Sequence, residues 1–225
     1  MSDYNFTFAG ATLVARADGS LWWPDECLLC VSDLHLGKSE RVARRGGALL
    51  PPYETQETLW RLKAAIDATT PATVICLGDS FDDLDAANAI EDDARTTIAT
   101  LQAGRDWVWI EGNHDPGPVS FGGSHYADLE RRAVIFQHIA ETGDIRANGE
   151  ISGHFHPKAS LSGIAARACF LITNNRIILP AFGAYTGGLS IADPVFAPWI
   201  DEHSRAVLTG KSATPVPTKA ILKRR

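Results

Sequence analysis

The stretch Leu28-Leu29-Cys30-Val31-Ser32-Asp33-Leu34-His35 sets the pattern for the whole chain. An apolar run suited to a strand buried on both faces leads directly into two metal-binding side chains one residue apart. The same order of events recurs downstream. Val74-Ile75-Cys76-Leu77 runs into Gly78-Asp79, and Trp107-Val108-Trp109-Ile110 is followed closely by Gly112-Asn113-His114-Asp115. Ala133-Val134-Ile135-Phe136-Gln137 ends at His138, and Glu150-Ile151-Ser152 leads into Gly153-His154-Phe155-His156. Five of the seven histidines fall in this series. Ligands that follow strands gather in the loops at one edge of a sheet, so the pattern predicts an α/β fold with a site at the strand ends.

The residue types fit a centre of two divalent ions. Such ions sit about 3.5–4 Å apart and need one ligand that bridges them, which a carboxylate with two oxygens provides. Asp79 is the expected bridge. Asp33, His35 and His156 complete one shell, and Asn113, His138 and His154 the other. Mixed nitrogen and oxygen ligation suits Mn, Fe, Zn or Ni better than Ca or Mg, and Mn2+ is the expected ion. Two cations lower the pKa of water and neutralise phosphoryl oxygens, so phosphate-ester hydrolysis needs no protein nucleophile. His114 is free of a necessary ligand role and is read as the acid for the leaving oxygen, with Asp115 orienting its ring. Taken alone, Asp-x-His or Gly-Asp is more often a solvated loop than a ligand pair, and His138 reads equally as a satisfied sheet-edge residue. Five elements in one order, each after an apolar segment, favour the metal centre.

This order of motifs, over roughly residues 28 to 160, resembles the calcineurin-like metallophosphoesterase superfamily. The stretches around it, Ser32 to Ser39, Leu50 to Tyr53, Leu77 to Phe81, Gly112 to Pro116, Gly153 to Pro157 and Leu179 to Gly188, resemble the bacterial ligase-associated DNA-damage-response endonucleases or phosphodiesterases of the PdeM type. The resemblance implies a four-layer α/β/β/α sandwich with two sheets and a dinuclear Mn2+ site in the strand-end loops. It also implies phosphodiester substrates, with an ATP-dependent DNA ligase and a helicase as partners.

Along the chain, Phe6–Val14 and Leu28–Val31 read as strands. Tyr53–Ala68 reads as a helix with Leu59, Leu62 and Ile66 on one face, opened by Pro51-Pro52. Val74–Leu77 and Asp106–Ile110 read as central strands, with a helix over Glu91–Ala103 between them. From Ala133 onward the segments read mainly as strands and supply a second sheet, with Asn174-Asn175 as a tight hairpin turn. A single domain over 1–210 is expected, followed by a basic, flexible tail over 211–225.

The 225 residues, 45 % of them hydrophobic, suffice for one substantial core. The N-terminus shows no basic region leading into an apolar stretch, and no run has the length of a membrane span, so a cytoplasmic protein without a membrane partner is expected. Cys27, Cys30, Cys76 and Cys169 lie in strand-like surroundings and are read as thiols. Cys27-x-x-Cys30 lacks a second pair, and i, i+3 side chains on a strand point to opposite faces, which sets aside a zinc or redox reading. The net charge of −6 argues against whole-surface affinity for nucleic acid. The tail carries +5 and no acids, leaving −11 elsewhere. The acidic cluster from Asp82 to Asp93 reads as solvated helix entries, except that Asp82 lies close enough to Asp79 to support a ligand from outside.

Substrate contacts must come from beyond the ligands. Lys38, Arg41, Arg44 and Arg45 follow the first motif and are candidates to grip flanking phosphates, while Tyr185 is a candidate to bond a phosphate or stack on a base. A solvated basic helix face and a packed turn are the plain alternatives. Trp60, Trp107 and Trp109 are read as packing residues. The sequence therefore points to an Mn2+-dependent phosphodiesterase acting on DNA as an endonuclease in repair. A phosphodiesterase or phosphomonoesterase for small nucleotides is the enzymatic alternative. A noncatalytic repair scaffold is the alternative of another class.

Overall fold

The computed structural model describes residues 2–44, 46, 53–143, 145, 147–161 and 165–222. Arg45 and Pro51-Pro52, which figure in the sequence reading, lie outside them. Two sheets face one another. The first runs in chain order through β1 (Tyr4–Phe8), β2 (Ala11–Ala15), β3 (Leu21–Trp23), β4 (Leu28–Val31), β5 (Thr73–Leu77), β6 (Asp106–Ile110) and β7 (Ser124–Tyr126). β4 to β7 are mutually parallel, and β1 to β4 are antiparallel. The second sheet contains β8 (Asp128–Arg131), β9 (Val134–Gln137), β10 (Gly149–Ser152), β11 (Lys158–Ala159), β12 (Arg167–Ile172), β13 (Arg176–Ile178), β14 (Arg205–Leu208) and β15 (Thr214–Pro217). Its order is β15-β14-β12-β13-β10-β9-β8, with β11 paired to β12.

Strand periodicity explains the layering. Leu28, Cys30, Ile75, Leu77, Val108 and Ile110 enter the core between the sheets, where they meet Phe136, Ile151, Phe170 and Ile177. The intervening Leu29, Val31, Val74, Cys76, Trp107 and Trp109 face a second apolar layer with Leu59, Leu62, Ile66, Ile98 and Leu101. These last come from α2 (Glu54–Thr69) and α4 (Asp92–Gln102), the helices that cover the first sheet. Strands buried on both faces read as continuous apolar runs for this reason. Two shorter helices, α1 (Lys38–Arg44) and α3 (Leu84–Ala89), follow β4 and β5. The outer face of the second sheet is covered by Phe196 and Trp199 over Leu171 and Ile178, and by Ile221 of α5 (Thr218–Leu222) over Cys169 and Leu208.

Three expectations change. Phe6–Val14 is a hairpin, because Ala9 and Gly10 both take positive φ (48° and 80°) and turn the chain. Residues 214–222 are not a flexible tail: β15 pairs with β14 along its whole length, and Thr218 donates its N–H to the Ser204 carbonyl. Val216 and Ile221 supply the apolar contacts that the Lys- and Pro-rich composition hid. Trp60 is 64 % exposed on α2, while Trp107 and Trp109 are buried as expected. Among the described residues, no helix is long and apolar enough to cross a membrane.

Candidate metal centre

All the candidate ligands fall in loops beyond the carboxyl ends of parallel strands, the crevice where α/β sheets bind ligands. Asp33 and His35 follow β4, Asp79 follows β5 and Asn113 follows β6, while His138 follows β9 and the His154 and His156 loop follows β10. Because β9 and β10 belong to the second sheet, the site lies where the two sheets come together. The turns are tight. Asp33, His35, Asp79, His154 and His156 all have positive φ, between 45° and 66°. Non-glycine residues rarely occupy this region, and strain of this kind collects at functional sites. Gly78 is required for a further reason: a Cβ there would run into the His138 ring.

The side chains converge as two clusters. Ligand atoms of Asp33, His35 and His156 lie within 4.8 Å of one another, and so do those of Asp79, His138 and His154. Asp33 Oδ1 lies 3.9 Å from His138 Nδ1, which joins the clusters into one centre. Asn113 Oδ1 is 3.1 Å from His138 Nε2 on the second side. Two of the rings are fixed from behind. His35 Nδ1 faces Asp82 Oδ1 at 2.9 Å, and His138 Nδ1 lies 3.1 Å from the Leu77 carbonyl. Both contacts make Nδ1 the protonated nitrogen and turn the Nε2 lone pair inward.

These inward atoms test whether the residues suit a cation. Among the described residues, His35 Nε2 and His156 Nε2 are buried without a hydrogen-bond partner, and orphaned polar atoms of this kind are costly in a folded protein. His156 Nε2 approaches Asp33 Oδ1 at 3.0 Å without hydrogen-bond alignment, as two ligands of one ion do. The donors are imidazole nitrogens and carboxylate oxygens, a set that suits divalent transition ions. Burial would raise the Asp33 carboxyl, but His156, His138 and the Ser32 hydroxyl outweigh it and hold the pKa below normal. Asp79 behaves alike, brought down to about 2 against burial by His138 and by the backbone and ring of His114. Burial, reinforced by the charge of His138, lowers the His154 pKa and leaves that imidazole available as a ligand.

His114 stands beside this centre. Its backbone N–H donates to Asp79 Oδ1 at 2.8 Å, and its Nδ1 lies 2.7 Å from the Asp82 carbonyl. Its Nε2 is therefore the nitrogen turned toward the crevice, 3.9 Å from Asp79 Oδ2. Asp115 does not orient this ring. Its carboxylate accepts from the backbone N–H groups of Ser80, Phe81 and Gly112 instead, tying the loops after β5 and β6 together. Burial and the nearby charge of Asp79 raise its pKa to about 6 against those three bonds.

The basic candidates divide. Arg41 pairs with Asp82, and Arg44 pairs with Glu40, Asp83 and Asp85, so both meet carboxylates of the protein rather than open space. The acids after Asp79, read as helix entries, supply most of these partners. Among the described residues Lys38 reaches the Tyr185 carbonyl at 3.4 Å, and Tyr185 is 53 % exposed. Two cations beside the centre escaped the sequence reading, Arg61 and Lys158, which line a cleft that starts at His156. Lys158 lies two residues beyond the last ligand motif, a signal that was available. Arg61 on α2 is brought there by packing alone.

Comparison with known proteins agrees with this geometry. The family model of the calcineurin-like phosphoesterases matches residues 28–178. The crystal structure of Pseudomonas putida nuclease MPE superposes with a TM-score of 0.72 at 26 % identity, covering 96 % of this chain and all of that one. No curated protein matches the chain. The chain belongs to the calcineurin-like phosphoesterase family and is a metal-dependent hydrolase of phosphate esters.

Proposed function

We propose that this protein is an Mn2+-dependent phosphodiesterase that cleaves DNA as an endonuclease, in a repair setting with an ATP-dependent DNA ligase and a helicase. The observation that carries the reading is the pair of clusters in one crevice, with a further imidazole, His114, aimed into it. The structural likeness to a nuclease supports the phosphodiester substrate. The ligase and helicase rest on the motif flanks, and a cytoplasmic location accords with that setting.

When bound, two divalent ions would lower the pKa of water and neutralise the charge on phosphoryl oxygens. Asp33, His35 and His156 would hold one ion and Asn113, His138 and His154 the other, with Asp79 as a ligand available to both. Asp79 is kept ionised by its neighbours, as a ligand must be. His114 hydrogen-bonds backward to the Asp82 carbonyl, which leaves Nε2 to give a proton to the departing ester oxygen. The carbonyl fixes the ring without competing for that proton.

The test is nicking of supercoiled plasmid by chelator-stripped protein, with and without Mn2+, and with Asp79→Asn protein as the control. Mn2+-dependent nicking by the parent alone is expected. Cleavage of a small aryl phosphodiester without nicking would move the substrate to small nucleotides. Absence of metal-dependent turnover on either would leave a scaffold.

A further inference from the structure

We propose that Ser32 is a positioning residue: its hydroxyl and the backbone N–H of His154 occupy one oxygen of Asp33, which confines that ligand to a single ion through the other oxygen. The inference deepens the metal-centre reading and rests on it, and it does not depend on DNA being the substrate.

Ser32 is fully buried between the end of β4 and the first ligand. Its Oγ lies 2.5 Å from Asp33 Oδ2 and 3.2 Å from the Leu77 carbonyl. A hydroxyl has one proton to give, and the nearer, ionised acceptor takes it. The Leu77 carbonyl is in any case engaged by His138 Nδ1 at 3.1 Å. A second donor reaches the same carboxylate oxygen, since the His154 backbone nitrogen is 3.0 Å from Oδ2 and 3.3 Å from Oδ1. Two donors use both lone pairs of Oδ2. What remains is Oδ1, the oxygen turned to the other ligands, 3.0 Å from His156 Nε2 and 3.9 Å from His138 Nδ1.

Asp79 is held differently. It accepts one N–H, from His114 at Oδ1. Among the described residues its Oδ2 meets only the imidazoles of His138 at 3.3 Å and His114 at 3.9 Å. Both of its oxygens keep a free lone pair, so it can serve two ions where Asp33 serves one. The hydroxyl at residue 32 therefore separates the roles of two aspartates that the sequence presents alike.

Glycine at 153 admits this arrangement. A Cβ there would lie 1.8 Å from Ser32 Oγ and 2.6 Å from Asp33 Oδ2, so any side chain would drive the hydroxyl from the carboxylate. The backbone, by contrast, is held without the hydroxyl. The carbonyls of Ser32 and Asp33 accept from Phe182 and Gly183 at 2.8 and 3.1 Å, and the Asp33 N–H donates to the Gly78 carbonyl at 3.2 Å. Ser32→Ala thus removes the donor and keeps the loop. Hydrogen bonds to ligating carboxylates fix their orientation and are costly to lose.

The experiment titrates Mn2+ by calorimetry into the chelator-stripped full chain, as parent, Ser32→Ala and Ser32→Thr, with melting of each metal-free protein as the check on folding. Ser32→Ala is expected to weaken one ion by about 10–100-fold, the same ion that His156→Ala weakens, and to leave the other at the parent's affinity. Ser32→Thr keeps the hydroxyl and should restore binding of that ion. With Co2+ in place of Mn2+, the visible bands should change in Ser32→Ala, because Oδ2 becomes free to coordinate, and return in Ser32→Thr. Parent-like affinity for both ions in folded Ser32→Ala, equal weakening of both, or unchanged Co2+ bands would overturn the inference. Equal losses in folded Ser32→Thr and Ser32→Ala would also overturn it, by making packing rather than the hydroxyl the cause. If Ser32→Thr does not fold, the split between the two ions in Ser32→Ala decides alone. A parent that takes up no divalent ion overturns the metal-centre reading itself, an outcome distinct from a parent and variant that bind two ions equally well.

Discussion

Asp82 joins two candidate functions through one carboxylate: Oδ1 lies 2.9 Å from His35 Nδ1, while Oδ2 is paired with Arg41. Burial would push the Asp82 pKa up, but His35 and Arg41 outweigh it and bring the pKa down. The ionised carboxylate keeps the His35 lone pair aimed at the centre, and Arg41 is a positioning residue rather than a phosphate clamp. Asp82→Asn should weaken metal affinity by about 10–100-fold, with Arg41→Ala causing a smaller loss in the same direction. Calorimetric metal titration of folded protein checks this. A clamp role would instead raise the KM for DNA and leave metal affinity unchanged.

His114→Ala should retain both ions and slow turnover by about 10²–10⁴-fold on substrates with poor leaving groups. With an activated aryl leaving group the loss should be much smaller, because such a group departs without a proton. Equal losses on both would remove the acid role. Asp79→Asn should lose ions and activity together, since its carboxylate lies beside both His138 and His114.

Asp115 is expected to affect stability more than chemistry. Asp115→Ala leaves the N–H groups of Ser80, Phe81 and Gly112 without their acceptor in a buried setting. A loss of about 1–3 kcal/mol follows for each group left unsatisfied, reduced where water enters. Thermal melting of the metal-free protein measures it. The leaving-group dependence of the remaining activity should match the parent, unlike that of His114→Ala.

The centre was legible in the sequence because strand periodicity and ligand type coincide at β4, β5 and β6. An apolar run of four or five residues says where a strand ends, and the ligand must come next. What lies around the ligands was less legible. Arg41 and Arg44 look like phosphate contacts beside Lys38 in the chain, and only α3 coming alongside reveals their carboxylate partners. Asp115 was assigned to the wrong neighbour because adjacency to His114 in sequence says nothing about which backbone amides a loop turns inward. Residues 211–222 failed for another reason. Pro215 and Pro217 depress strand propensity, yet an edge strand tolerates proline where its N–H is not needed by the ladder.

Removal of residues 211–225 should lower the melting temperature, since it strips β15 from β14 and uncovers Leu208 and Cys169. The exposed edge of β14 becomes available for pairing with another chain, so concentration-dependent association is expected by light scattering. Unchanged melting and a monomeric species would return this segment to the role of a loose tail.

The remaining prediction concerns Glu150 and Arg176, register partners on β10 and β13 that are both buried, with Nε 3.4 Å from Oε2. Burial raises the Glu150 pKa above its ordinary 4.5, and Arg176 and the Ser152 hydroxyl oppose this only in part. The folded protein then holds this proton more tightly than the unfolded chain. The contribution from this group is fully present below about pH 4.5 and is lost as pH rises through the folded pKa. Glu150→Gln does not titrate, so parent stability relative to this variant should fall with rising pH across that window in urea unfolding. Glu150→Ala should cost about 3–5 kcal/mol at neutral pH by leaving Arg176 buried beside a gap, and apolar replacement of both partners should recover most of that loss. Additive losses in the double variant would mean that the two side chains do not act as a pair.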